Sequence, residues 1–186
     1  MKPRKSSDQI KDRRVERTRS LLSEALIELL LERGWNAIGV GELCARANIA
    51  RSTFYLHFSN KEELLESGFN ALRDSVRANS PTRSLTRIDR FRFVEGIASH
   101  IFENRKVFLA LIGKNGASIV RERFSMLLEK MITEELATCG NTDTAKAHFL
   151  AGGFIALAAS IIANRNSNAQ QFVEKFNSYA APIIAI

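Results

Sequence analysis

The sequence predicts an all-α fold: an N-terminal three-helix module of helix-turn-helix type, followed by a larger helical body. Three observations predict it. Only three prolines and ten glycines interrupt 186 residues, which leaves long stretches free of helix breakers. Apolar residues recur at spacings of three and four, with little strand-like alternation. The composition, 45% hydrophobic and 25% charged, is that of an ordinary globular protein and argues against wholesale disorder or a polytopic membrane protein. The length fits one compact body plus a small module.

The chain opens on a polar, basic arm without the apolar core of a signal peptide. Up to residue 19 it carries Lys2, Arg4, Lys5, Lys11, Arg13, Arg14, Arg17 and Arg19 against Asp8, Asp12 and Glu16, a local charge of +5 within a chain total of +7. Such a surplus favours a polyanionic partner. Leu21, Leu22, Ala25, Leu26, Leu29 and Leu30 then mark a first helix over about 15–33. Gly34 followed by Trp35 reads as a left-handed helix end with an apolar clasp. Val40, Leu43, Cys44 and Ala47 line a second helix of two turns opened by Gly39, and a third short segment runs from Arg51 to Phe58.

Two short helices meet at a steep angle only if the chain turns within three or four residues, which usually takes one residue of positive φ. Asn is the most tolerant type after Gly, and Asn48 is placed for that role. Phe54 and Phe58, four apart, turn one side of the third segment inward. The other side presents Arg51, Ser52 and Tyr55, with Thr53 and His57 at its edge. A helix that enters the major groove needs such a face: donors and acceptors for base edges, flanked by groups that hold phosphates. Arg51 can grip guanine O6 and N7, and Tyr55 can offer its ring to a thymine methyl or its hydroxyl to a phosphate. Ser59-Asn60-Lys61-Glu62 predicts a capping box, Ser59 capping and Glu62 reaching back. It opens a fourth helix through Leu64, Leu65, Gly68, Phe69, Leu72 and Val76, with Lys61 placed to neutralise a phosphate.

A break at Asn79-Ser80-Pro81-Thr82 follows from the proline. The body then reads as a fifth helix over about 85–103, a shorter sixth through Val107, Phe108, Leu111 and Ile112 that ends at Gly113 to Gly116, and a seventh from Val120 to Leu136 closed by Cys139-Gly140-Asn141. The eighth, about Thr144 to Ala163, contains the longest uncharged run and reaches only the lower limit of a membrane span, so a buried helix is expected. Its Gly152-Gly153 among alanines leaves a flat surface for close approach. With Phe172, Val173, Phe176, Tyr179 and Ile183 of a last helix, it predicts a dimer seam in which two helices pair with their two-fold mates.

The run Arg51-Ser-Thr-Phe-Tyr-Leu-His-Phe-Ser-Asn-Lys-Glu-Glu-Leu64, preceded by Gly34-Trp35 and Leu43-Cys-Ala-Arg-Ala-Asn-Ile49, resembles the DNA-binding module of tetracycline-repressor (TetR) type regulators over about fifty residues. The resemblance implies that Thr53, Tyr55, His57 and Lys61 touch phosphate or anchor the reading helix. It implies that Arg51, Ser52 and Tyr55 read bases and that Leu56 touches a thymine methyl. The chain departs from the family pattern at Asn48, where Gly is usual, at Ala50, where Ser is frequent, and at Gly39 and Gly41, where Thr and a polar side chain often meet DNA. The second helix should then contribute fewer contacts.

The resemblance further implies residues 1–62 as arm and DNA-binding domain and 63–186 as an effector-binding and dimerisation domain. The function expected is that of a cytoplasmic, homodimeric repressor on a near-palindromic double-stranded operator, released by a small-molecule effector whose binding shifts the fourth helix. A coactivator, or an effector-independent DNA-binder acting through a protein partner, is the alternative. Phe91, Val94, Ile101, Phe108, Phe124, Met131 and Phe149 are candidates to line a pocket, with His100, Asn104 and His148 as polar contacts. No phosphate loop, nucleophile elbow or HExxH occurs, so no catalytic residue is assigned. Cys44, Cys139 and three histidines supply neither a disulfide framework nor metal-ligand spacing, so neither cofactor nor metal is expected.

Overall fold

A computed structural model describes residues 7–79, 91–112, 118–138 and 140–185, with side chains from residue 13 to residue 184. Among the described residues all regular structure is helical, in the order α1 (Ser7–Arg33), a 3-10 turn (Trp35–Ala37), α2 (Val40–Ala47), α3 (Arg51–His57), α4 (Lys61–Asn79), α5 (Arg92–Glu103), α6 (Arg105–Ile112), α7 (Ser118–Thr138), α8 (Thr144–Ala163) and α9 (Ala169–Ala185). The chain divides into two compact units, Met1–Gly68 and Phe69–Ile186.

In the first unit, Leu22, Ala25, Leu26, Leu29 and Leu30 of α1 are buried, as are Leu43, Cys44 and Ala47 of α2 and Phe54, Phe58, Leu64 and Leu65. This is the apolar stripe the periodicity predicts. α1 begins at Ser7, a little over two turns earlier than predicted: its apolar stripe starts only at Leu21, so the polar turns before it carry no periodic signal. Gly34 takes the positive φ expected, 74°, and Trp35 is buried beyond it. Arg46 locks α2 to α1 by a forked pair with Glu32 (2.8 and 2.7 Å) and a bond to Glu28 (3.1 Å). That fork holds the Glu32 carboxyl below its ordinary pKa.

In the second unit α7 packs on α8, α5 on α9, and α6 on both α7 and α8. Phenylalanines join these helices: Phe154 meets Phe172 and Phe176 edge-on at 4.7 and 5.2 Å, Phe91 meets Phe176 at 5.9 Å, and Phe124 sits between Phe69 and Phe108. The expectation that Phe172 and Phe176 form a dimer seam is therefore corrected. Both belong to the chain's own core, because α9 turns its aromatic stripe onto α5 and α8. Asp143 caps α8 through Ala145 N and Lys146 N. Arg105 closes the other end, donating from Nε to Ile162 O (2.8 Å) and from Nη2 to Asn164 O, so it satisfies carbonyls a helix terminus leaves open. The predicted break at 80–82, the start of a helix at 85, the Gly113–Gly116 end and Cys139 lie outside the described residues; α5 is described from Arg92.

α8 is long and apolar enough, by length and composition, to cross a membrane. One of its sides is core: Ala147, Leu150, Ala151, Phe154, Ala158 and Ile162 are buried. Its opposite side leaves Phe149, Gly152, Gly153, Ala156 and Ser160 exposed.

Candidate nucleic-acid interface

The first unit is built around one left-handed residue. Asn48 has φ 53° and ψ 47°, its N–H bonds back to Ala45 O, and Ile49 N reaches Cys44 O at 2.9 Å. That turn ends α2, and α3 begins three residues later. An L-residue pays to sit in the left-handed region, and Asn pays less than most.

α3 is held from below. Phe54 is fully buried, Phe58 nearly so, and their rings lie 5.8 Å apart, with the Arg19 guanidinium over Phe58. The opposite side of the helix carries Arg51, Ser52, Tyr55 and Leu56 exposed and Thr53 and His57 half-buried at its edges. All six predicted residues of this segment thus share one helix, with the two apolar anchors turned away from them. Leu56 is 81% exposed and Tyr55 59%, an unusual outlay of apolar surface on a helix of seven residues.

Lys61 stands at the first position of α4, partly buried. Its Nζ donates to Trp35 O and Ile38 O, both at 2.9 Å, and lies 4.5 Å from the centre of the Trp35 ring. Two of the three ammonium donors are thereby committed to the 3-10 turn. The capping box is one residue later than predicted: Asn60 Oδ1 accepts from Glu63 N at 2.8 Å, and Glu63 Oε2 accepts from Ser59 N at 2.6 Å. Asn caps as well as Ser, and α4 begins at Lys61, so Glu63 and not Glu62 occupies the third helical position. The bonds from Ser59 hold the Glu63 carboxyl below its ordinary pKa.

The model of bacterial regulatory proteins of the tetR family matches residues 22–67, from the middle of α1 into α4. The chain carries a TetR-family DNA-binding domain. A Bacillus subtilis (strain 168) protein named as an uncharacterized HTH-type transcriptional regulator, YxbF, is 44% identical over 57 residues, 30% of this chain; the chain spans about 15% of that relative's length. Solved TetR-type proteins share the fold over most of the chain. A TetR transcriptional regulator from Streptococcus agalactiae 2603V is 22% identical, covering 94% of this chain and 99% of the other, with a TM-score of 0.63. The transcriptional regulator FadR from Bacillus subtilis, solved with stearoyl-CoA, is 13% identical over 87% of this chain and 97% of its own, with a TM-score of 0.60.

Outside the TetR-family domain, the residues predicted to line a pocket do not converge on one. Phe149 is 65% exposed, and His148 points outward to Glu129. Asn104 folds back on His100 O at the end of α5. Phe91, Val94, Ile101, Phe108 and Phe124 are buried in the core instead. Of the predicted set, Met131 borders a cavity of about 480 Å³ between the end of α4, the start of α5 and α7, lined also by Arg77, Ala78, Arg92, Phe93, Glu134, Glu135 and Thr138. Sequence reasoning passed over Glu135. Burial lifts its carboxyl to about 7, while the backbone N–H groups of Phe93 and Arg92 pull the other way. Its signal was a carboxylate four residues after Met131, on the apolar stripe of α7.

Proposed function

We propose that this chain is a homodimeric, sequence-specific transcriptional regulator in the cytoplasm, a repressor that lays α3 in the major groove of a near-palindromic operator and leaves it when a small molecule binds. One observation carries the reading: the exposed face of α3, where Leu56 and Tyr55 lie bare beside Arg51 and Ser52 on a helix pinned from behind by Phe54 and Phe58. Apolar groups among donors suit a groove wall that carries both thymine methyls and base-edge acceptors. In this reading Arg51, Ser52 and Tyr55 meet bases, Leu56 a thymine methyl, and Thr53 and His57 phosphates. Lys61 holds the 3-10 turn with two donors and turns the third to the backbone.

One seven-residue helix touches too few base pairs for a tight operator complex, so two copies are required. The exposed strip of α8 supports the pairing. A side chain at Gly152 or Gly153 would meet nothing within 4 Å, so nothing in this chain's own packing calls for glycine there, although each costs about 1 kcal/mol against Ala. The close approach of a second α8 does call for it. The cavity between α4, α5 and α7 has the size of a small-molecule site, and α4 runs from it into the DNA-binding unit. That FadR, of the same fold, was solved in complex with stearoyl-CoA supports an effector.

The test is selection of binding sites from random double-stranded DNA, with the mass in solution measured alongside. The expected outcome is a two-fold motif bound by a dimer, from which Arg51→Ala removes preference at one position per half-site at a cost of about 1–3 kcal/mol. A monomer without preference, or equal losses for Arg51→Ala on selected and random DNA, overturns the reading. Operator affinity that no metabolite alters would remove the effector and leave the regulator.

A further inference from the structure

Gly41, the second residue of α2, has no backbone reason to be glycine. It lies inside a regular helix, outside the positive-φ region, where any residue would serve. The space above its Cα is nevertheless occupied. A Cβ built there would stand 2.9 Å from Arg51 Cζ and closer still to Nη2. The guanidinium at the start of α3 lies across α2 on the seat the missing side chain leaves. Its charge is felt one turn further along: burial raises the pKa of the Cys44 thiol, and Arg51 pulls it back down. The carboxylates nearby are engaged elsewhere, Glu42 with Arg33 on α1, and Glu28 and Glu32 with Arg46. The seat is therefore steric, made by the absence of a side chain.

We infer that Gly41 is a specificity-determining position: it sets the direction in which Arg51 reaches the DNA, and so chooses the base that Arg51 reads, without touching DNA itself. The inference rests on the reading role proposed for α3. A methyl at position 41 closes the seat, and the obstacle it meets is the far end of a flexible side chain, which swings away and leaves the fold intact. Alanine is also the better helix former. Stability and recognition then move apart, which a purely structural role for Gly41 would not produce.

The experiment is a two-by-two comparison of the full chain: wild type, Gly41→Ala, Arg51→Ala and the double variant. Each is put through binding-site selection from random duplex DNA, affinity measurement on the wild-type motif, and thermal melting. Gly41→Ala is expected to melt no lower than wild type, to change preference at the position Arg51 reads and nowhere else, and to weaken the wild-type motif by up to the about 5- to 150-fold that Arg51→Ala causes. In the Arg51→Ala background Gly41→Ala should have no further effect, because the group it displaces is gone. A wild-type motif unchanged in Gly41→Ala, or losses that multiply in the double variant, overturns the inference while the DNA-reading role stands. A wild type that selects no motif overturns both.

Discussion

The half-buried carboxyl of Glu135 makes the stability of the second unit depend on pH in a direction opposite to that of most acidic residues. Its pKa is held up at about 7 against an ordinary 4.5, first by burial, with the N–H groups of Phe93 and Arg92 and the Arg92 charge opposing. One carboxyl oxygen, Oε2, is buried without a hydrogen-bond partner. The folded chain thus keeps this proton up to about pH 7, whereas the unfolded chain loses it near 4.5. A group whose folded pKa is raised contributes most stability below the unfolded value and loses it as pH climbs between the two. At about 1.4 kcal/mol per pH unit the gap corresponds to ~3 kcal/mol at most. Partial contact with solvent reduces that to about 1–2 kcal/mol. Glu135→Gln keeps an acceptor for the start of α5 and cannot ionise. Urea titrations at pH 5 and pH 8 should show the variant more stable than wild type at pH 8 by about 1–2 kcal/mol, the advantage mostly gone at pH 5. A difference of equal size at both values would refute the reasoning, because ionisation would then play no part.

Three other outcomes are expected. Asn48→Gly should leave the melting temperature unchanged or raise it slightly, whereas Asn48→Val, with a branched side chain at φ 53°, should cost about 1–2 kcal/mol or more in denaturant unfolding. Lys61→Met keeps the stem over Trp35 but strips donors from Trp35 O and Ile38 O. It should lower stability by about 1–2 kcal/mol and weaken binding to all duplexes alike, with the salt slope reduced by about one. Gly152→Leu meets open space within one chain, so the variant should fold normally yet run as a monomer in size-exclusion chromatography coupled to light scattering, and a variant that remains dimeric would place the seam elsewhere.

The exposed face of α3 was legible because its parts are local. A left-handed Asn48, an aromatic pair four apart and a polar opposite face are set by spacing within a dozen residues, and α3 shows them where spacing places them. The cap of α4 was legible to within one residue, since Ser59 and Asn60 are adjacent and equally able caps, and only the start of the helix chooses between them. The second unit was less legible. Phe149, Phe172 and Phe176 carry the same apolar signal, yet one is bare and two are core, because periodicity marks a helix face and leaves open what covers it.

The order of the helices, the turn at Asn48 and the division of α3 into an anchored side and a presented side were determined by the sequence alone. Each depends on residues within one or two turns of each other, where backbone geometry ties spacing to direction. Tertiary structure alone decided that Arg51 rests on bare α2, that Lys61 spends its donors on the turn before it, and that Glu135 lies half-buried against the start of α5. Those arrangements join residues ten to more than forty positions apart, and only the packing of whole helices brings them within a few ångströms.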